Sequence, residues 1–122
     1  MTPTDVEDLF ADLTPVTMRR MFSGHGIYRD GLIFALLIGG ELFLKTDETT
    51  VPHFEEAGSS PFVYDNGKRL VSLPYWRLPA EAFDDPDELA RFAHLAFDAA
   101  VRAGPPKPRP RRKTPARAKE KD

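Results

Sequence analysis

VTMRRMFSGHGIYRDGLIFALLIGGELFLKT, residues 16–46, reads as strands joined by tight turns and decides the fold. Asp30-Gly31 and Gly39-Gly40 stand where two-residue hairpins need positive φ, so the stretch is predicted to be a β-meander. Between its first two strands, Ser23-Gly24-His25-Gly26 places two glycines where backbone angles closed to other residues are allowed, which predicts a turn or bulge. The run Leu32 to Ile38 is apolar without alternation, so both faces of this strand want burial and it belongs in the middle of the sheet. One face can be covered by helices. Leu37 and its same-face neighbours are then expected to contribute to an apolar patch suited to a homodimer or another partner.

Outward from this core, Thr4 and Glu7 have the spacing of a capping box and predict a short helix from about 5 to 12, with Val6, Leu9, Phe10 and Leu13 as its buried stripe. Glu48 to Ala57 reads as a second helix, closed by Gly58, with Pro52 in its first turn and Thr49 or Thr50 as cap. FVYD and KRLVSL flank Asn66-Gly67 and predict a hairpin over about 62–73. In the last helix, Leu89, Phe92, Ala93, Ala96, Ala99 and Ala100 share one face, and Arg91, His94, Asp98 and Arg102 the other. Asp84 or Asp85 can cap it, Pro86 suits its first turn, and Gly104-Pro105-Pro106 stops it. The expected class is α+β: a mainly antiparallel sheet of about five or six strands with three helices packed on it, in a domain over 1–104.

Charge divides the chain. Residues 1–104 hold 9 Lys+Arg against 17 Asp+Glu, a net of −8; residues 105–122 hold 8 against 2, a net of +6, for an overall −2. The tail, PPKPRPRRKTPARAKEKD, has five prolines and no large apolar residue, so nothing offsets the entropy of ordering it and disorder is predicted. Its cations Lys107, Arg109, Arg111, Arg112, Lys113 and Arg117 are candidates for weak, nonspecific phosphate contacts with nucleic acid. The absence of cysteine excludes a disulfide scaffold, a thiolate zinc site and a thiol nucleophile, and suits a cytoplasmic protein. The N-terminus lacks the pattern of a secretory signal, and Leu32–Ile38 is about a third of the roughly 20 residues that a membrane-spanning helix needs.

Signs of catalysis are missing. His25, His53 and His94 form no ligand motif; His53 and His94 are expected on solvated surfaces, and His25, between glycines, is a candidate contact residue. No GxSxG elbow or SxxK motif occurs, and Asp84, Asp85, Asp87 and Glu88 are explained by the helix dipole. The expectation is a non-enzymatic chain without cofactor or metal. Tyr75-Trp76-Arg77, bracketed by Pro74 and Pro79, has the residue types of interaction hot spots. Arg19-Arg20 adds two more candidates, of which strand alternation allows only one on any given face; one arginine is expected to pair with a carboxylate.

Four segments in order, VTMRRMFSGHGIY (16–28), LFLKTD (42–47), PFVY (61–64) and PYWRLP (74–79), resemble the N-terminal domain of the TfoX (Sxy) family of bacterial competence regulators. The resemblance runs from about 10 to 100. Ser23 stands where a glycine is commoner, and family regulators continue into a helical second domain where this chain has its basic tail. The resemblance implies a compact α+β domain and a place among regulators of competence genes, which act with the cyclic-AMP receptor protein at promoters. It carries over no catalytic or metal residue. The partner implied is a protein, in or near the transcription machinery.

Overall fold

The computed structural model describes residues 2–11, 15–21, 24–65 and 67–104. Two glycine-bearing turns organise its sheet. Asp30 and Gly31 (φ 52° and 78°) join β2 (Gly24–Arg29) to β3 (Leu32–Ile38), and Gly39 and Gly40 (φ 58° and 80°) join β3 to β4 (Glu41–Lys45). Positive φ at both central residues gives a twist that matches the flanking strands. With β1 (Thr17–Met21), β5 (Pro61–Asp65) and β6 (Leu70–Arg77), these form one six-stranded antiparallel sheet in the order β1-β2-β3-β4-β6-β5. Three α-helices accompany it: α1 (Pro3–Leu9), α2 (Val51–Glu56) and α3 (Pro86–Ala103), the last preceded by a 3-10 turn, Ala80–Phe83. The α+β class, the meander and the central place of Leu32–Ile38 are as the sequence predicts.

A bulge explains how seven consecutive apolar residues are accommodated. Ile27 pairs with Ala35 but Tyr28 with Ile33, leaving Phe34 as an extra residue on β3. Phe34 and Ala35 therefore both join the helix-side core with Leu37, while Ile33, Leu36 and Ile38 go to the opposite face. Leu37 thus belongs to the covered core, at 3% exposure, and not to the uncovered patch expected from the sequence. Register, which a run without alternation leaves open, decides this.

Several local readings are corrected. The first helix is capped by Thr2, whose hydroxyl accepts from Asp5 N while the Asp5 carboxylate accepts from Thr2 N; Pro3 takes the first helical position, so Thr4 is already inside. The helix ends at Leu9, with Val6 and Phe10 fully buried and Leu9 packed beside them, and Leu13 lies outside the described residues. Gly24, His25 and Gly26 are strand residues of β2, opposite Met21, Arg20 and Arg19, not a turn. Their glycines answer to crowding: a Cβ at Gly24 would lie 1.8 Å from the Leu37 carbonyl oxygen, and one at Gly26 would meet Ile33, Met21 and Tyr28.

The second hairpin forms, but Asp65 pairs with Leu70, so Lys68 and Arg69 lie in a longer loop instead of a strand that starts directly after Gly67. The Asp65 carboxylate accepts from Gly67 N at 2.8 Å and holds that loop. Strand β6 also runs past the predicted limit, through Pro74, to Arg77. The β5–β6 ladder skips there from Val63–Ser72 to Pro61–Trp76, so the missing N–H of Pro74 breaks no pairing, and its carbonyl accepts from Thr46 N. The middle helix is shorter than predicted. Thr50 is its N-cap without a side-chain cap bond; the Asp47 carboxylate accepts from Thr49 N and Thr50 N, and Gly58 (φ 77°) follows its end.

The long helix behaves as predicted. Asp85 caps it by accepting from Asp87 N and Glu88 N, Pro86 opens it, and its six predicted core residues are buried. It lies over β3 and β4. Phe10, Phe34 and Phe97 on one side, and Phe54, Phe92 and Trp76 on the other, fill the layer between helices and sheet with aromatic contacts, Phe54 and Phe92 at 4.9 Å. The basic tail, with its six candidate phosphate contacts, lies outside the described residues.

Candidate functional site

Antiparallel pairing converts the alternation of each strand into transverse rows across the sheet. One row runs Arg19–Gly26–Leu36–Phe43–Arg77 over β1, β2, β3, β4 and β6. The next runs Arg20–His25–Leu37–Leu42 and, through Leu37 and Leu42, belongs to the helix-side core. Neighbouring candidates from the sequence are therefore split between opposite faces. Arg19, Gly26, Tyr75 and Arg77 fall on the face on which no described helix packs; Arg20 and His25 share the row of the covered face, and Trp76 packs against the helix-side core.

The helix-free face has its own apolar cluster. Leu36, Phe43 and Tyr75 are buried at its centre, with Met21, Ile33, Ile38, Phe62 and Leu73 packed around them. Gly26 makes this cluster compact, because any side chain there would occupy the space in which Ile33, Met21 and Tyr28 meet. Three cations lie over its rings. Arg19 sits 5.4 Å above Tyr28, Lys45 5.3 Å above Tyr75, and Arg77 5.4 Å above Phe43 while it pairs with Glu41. Among the described residues neither Arg19 nor Arg20 forms the expected ion pair; most of the described acidic residues stand in the helices or in the turns that enter them.

Burial pushes the Tyr75 phenol up to about 12, with the Tyr28 phenol adding to the shift. Burial also lowers the Lys45 ammonium below its ordinary value. The face thus carries Arg19, Lys45, Arg77 and Glu41, a net of +2, on a body whose net charge over 1–104 is −8. At its β4–β6 end it runs into an open groove of about 340 Å³ lined by Gly40, Glu41, Leu42, Arg77, Leu78 and Phe83. Tyr64, stacked on Phe62, is 43% exposed and extends the apolar surface towards β5. Sequence reading missed Tyr28, Lys45, Phe43 and Phe62; only the pairing register brings them beside Arg19, Tyr75 and Arg77.

The histidines are far less organised. His94 is exposed, as expected; His53 is half-buried, its Nδ1 3.5 Å from an Arg91 nitrogen, and His25 is half-buried in β2. Among the described residues no three His, Asp or Glu side chains form a group that could hold a metal ion. No helix among them is long and apolar enough to cross a membrane.

Comparison with known proteins shows what this chain is similar to. A family model described as TfoX N-terminal domain matches residues 8–100. Protein Sxy from Escherichia coli (strain K12) is 25% identical over 96 residues, which cover 79% of this chain and 46% of the relative. The chain therefore spans about half the length of the curated relative it matches.

Proposed function

Since this chain belongs to the TfoX N-terminal domain family, we propose that it is a non-catalytic regulatory module, acting on transcription by contacting a protein partner in the manner of competence regulators. The observation that carries this reading is the second apolar cluster, Leu36, Phe43 and Tyr75, on a sheet face that no described helix covers. Its half-buried rim, Met21, Ile33, Ile38 and Leu73, offers apolar side chains without a second layer over them, and arginine with aromatic residues is the composition enriched at interface centres. Two of the described carboxylates have structural duties: Asp85 caps α3, and Asp47 holds the entry to α2.

The test is purification of the tagged full chain from its own cells, together with transcript profiling after the gene is deleted. The expected result is co-purification of a transcription regulator and altered transcripts of a discrete gene set. Unchanged transcripts would sink the reading. Nucleic-acid binding through the tail makes a different demand: duplex affinity that falls with log salt at a slope of about −4 to −5. That affinity would vanish on changing Lys107, Arg109, Arg111, Arg112, Lys113 and Arg117 to Gln.

A further inference from the structure

We propose that the helix-free face seats an acidic amphipathic helix of a protein partner, a single segment with apolar anchors flanked by carboxylates. This rests on the reading of the chain as a protein-interaction module and assigns that module its surface and its partner's chemistry.

Three observations converge on this occupant. The first is charge. Of the 9 Lys+Arg and 17 Asp+Glu in residues 1–104, the face holds three of the former, Arg19, Lys45 and Arg77, and one of the latter, Glu41. Cations are gathered here on a body that is otherwise acidic, and a carboxylate-bearing segment is the complement. The same distribution opposes a second copy docked face to face, which would set net +2 against net +2.

Size is the second. Six strands about 4.8 Å apart give a width of about 24 Å between the outer strand axes, and five residues per strand give a length of about 16 Å. The resulting plane of about 400 Å² is half of the roughly 800 Å² that each partner contributes to a standard interface. It accommodates one helix about 10 Å thick, in which 16 residues at 1.5 Å rise span about 24 Å. Arg19 and Arg77 mark the two ends of one transverse row, so such a helix laid along the row runs from Arg19 to the Arg77–Glu41 pair, with the half-buried Met21, Ile33, Ile38 and Leu73 beside it.

Accessibility of the rings is the third. Phe43 and Tyr75 are 3% and 8% exposed and already lie under Arg77 and Lys45, so they offer no open plane on which a base could stack. What the face does offer is aliphatic relief, in Met21, Ile33, Ile38 and Leu73, all half-buried. Helix-in-groove recognition uses such relief by placing anchors at positions i, i+3 or i+4, and i+7.

The experiment is selection of a random 16-residue peptide library against the full chain. Enriched sequences should combine Leu, Ile, Phe or Met at helical spacing with an excess of Asp and Glu. The best peptide should shift the amide signals of Leu36, Ile38 and Phe43 but not those of α3, and should bind about tenfold more weakly in high salt. Arg19→Glu, on an exposed side chain, should weaken it by a further tenfold or so without changing the melting curve, whereas Arg91→Glu on the helix side should leave it unchanged. The proposal is overturned by no enrichment, by binders without acidic bias, by tighter binding of a 20-nucleotide uridine oligomer, or by a dimer in light scattering that Ile38→Lys dissociates. Peptides that map to the helix side would also overturn it while leaving the interaction-module reading intact; that reading fails separately, on the transcripts of the deletion strain.

Discussion

Leu37 and Leu36 are neighbours on the central strand, nearly equal in exposure at 3% and 6%, yet they face different surroundings. Leu37 points into the layer shared with Phe10, Phe54 and Phe92, all at 0% exposure, where α3 lies close over β3 and β4 because its inner stripe is Ala93, Ala96 and Ala100. Leu36 is shielded sideways, by Ile33, Ile38, Met21 and the rings of its own sheet, with Arg19, Lys45 and Arg77 laid across that face. A low exposure therefore has two physical meanings here. One is close packing between two layers, which resists any change of volume or charge. The other is crowding within one layer, where a side chain can lean outward or a partner can settle on top.

The sharpest way to break this contrast is Leu37→Lys. An ammonium placed among Phe34, Leu42 and Leu44 has no partner within reach, and the loss should exceed about 4 kcal/mol, leaving no folded fraction in a urea titration followed by circular dichroism. A folded Leu37→Lys protein would show that the helix layer is looser than described.

Next in size is a pair of glycine substitutions. A Cβ at Gly24 would lie 1.8 Å from a backbone carbonyl, which can move only if the β2–β3 pairing opens, so Gly24→Ala should cost about 2–3 kcal/mol. At Gly26 the closest atoms, at 2.9 and 3.1 Å, are the flexible ends of Ile33, Met21 and Tyr28. Gly26→Ala should cost about 1 kcal/mol because that side has no second layer to resist. Equal destabilisation of the two variants in thermal melts would refute the distinction.

The helix layer is also tied by a charged clamp. The Asp47 carboxylate accepts from Arg102 Nε at 2.6 Å and Nη2 at 3.1 Å, joining the entry of α2 to the last turn of α3 while it holds Thr49 N and Thr50 N. The Arg102 hydrogen bond, with the Thr50 and Thr49 amides, keeps this carboxyl below its ordinary value of 3.8. A depressed folded value means that the stabilisation is present above pH 3.8 and is lost as the pH falls through the lower folded value. Asp47→Ala should cost about 1 kcal/mol at pH 7 and progressively less in acid, as read from melts across pH 2 to 7.

Smallest of all should be Ile38→Lys. Ile38 is half-buried at the margin of the uncovered cluster, where a lysine stem can lie along the sheet with its ammonium in water, so the change should be within about 0.5–1 kcal/mol. A loss comparable to that of Leu37→Lys would mean that this face, too, is closed.

Much of the fold was legible because its signals are local. Asp30-Gly31 and Gly39-Gly40 turn the chain where their backbone freedom is needed, Asp85-Pro86 starts α3, and the alanine-rich stripe of that helix is its buried face. Local signals also misled where two were available. Thr2 with Asp5 competes with Thr4 and Glu7 for the first cap, and Pro3 settles it by fitting only the first helical position. The paired glycines at 24 and 26 suggest a turn by composition, but they serve close approach across the sheet, which no single segment reveals.

The candidate site was legible only in fragments. Arg19, Tyr75 and Arg77 could be picked out by residue type, but not which face each would take, nor that Tyr28, Lys45 and Phe43 would join them. Turns, caps and periodicity are properties of a few consecutive residues, so the sequence by itself determined the element order, the α+β class and the family to which the chain belongs. Which face of the sheet stays open depends instead on a one-residue bulge at Phe34 and on the register between strands distant in sequence. A side-chain period of two means that one step of register exchanges the faces, and only the assembled sheet selects that step.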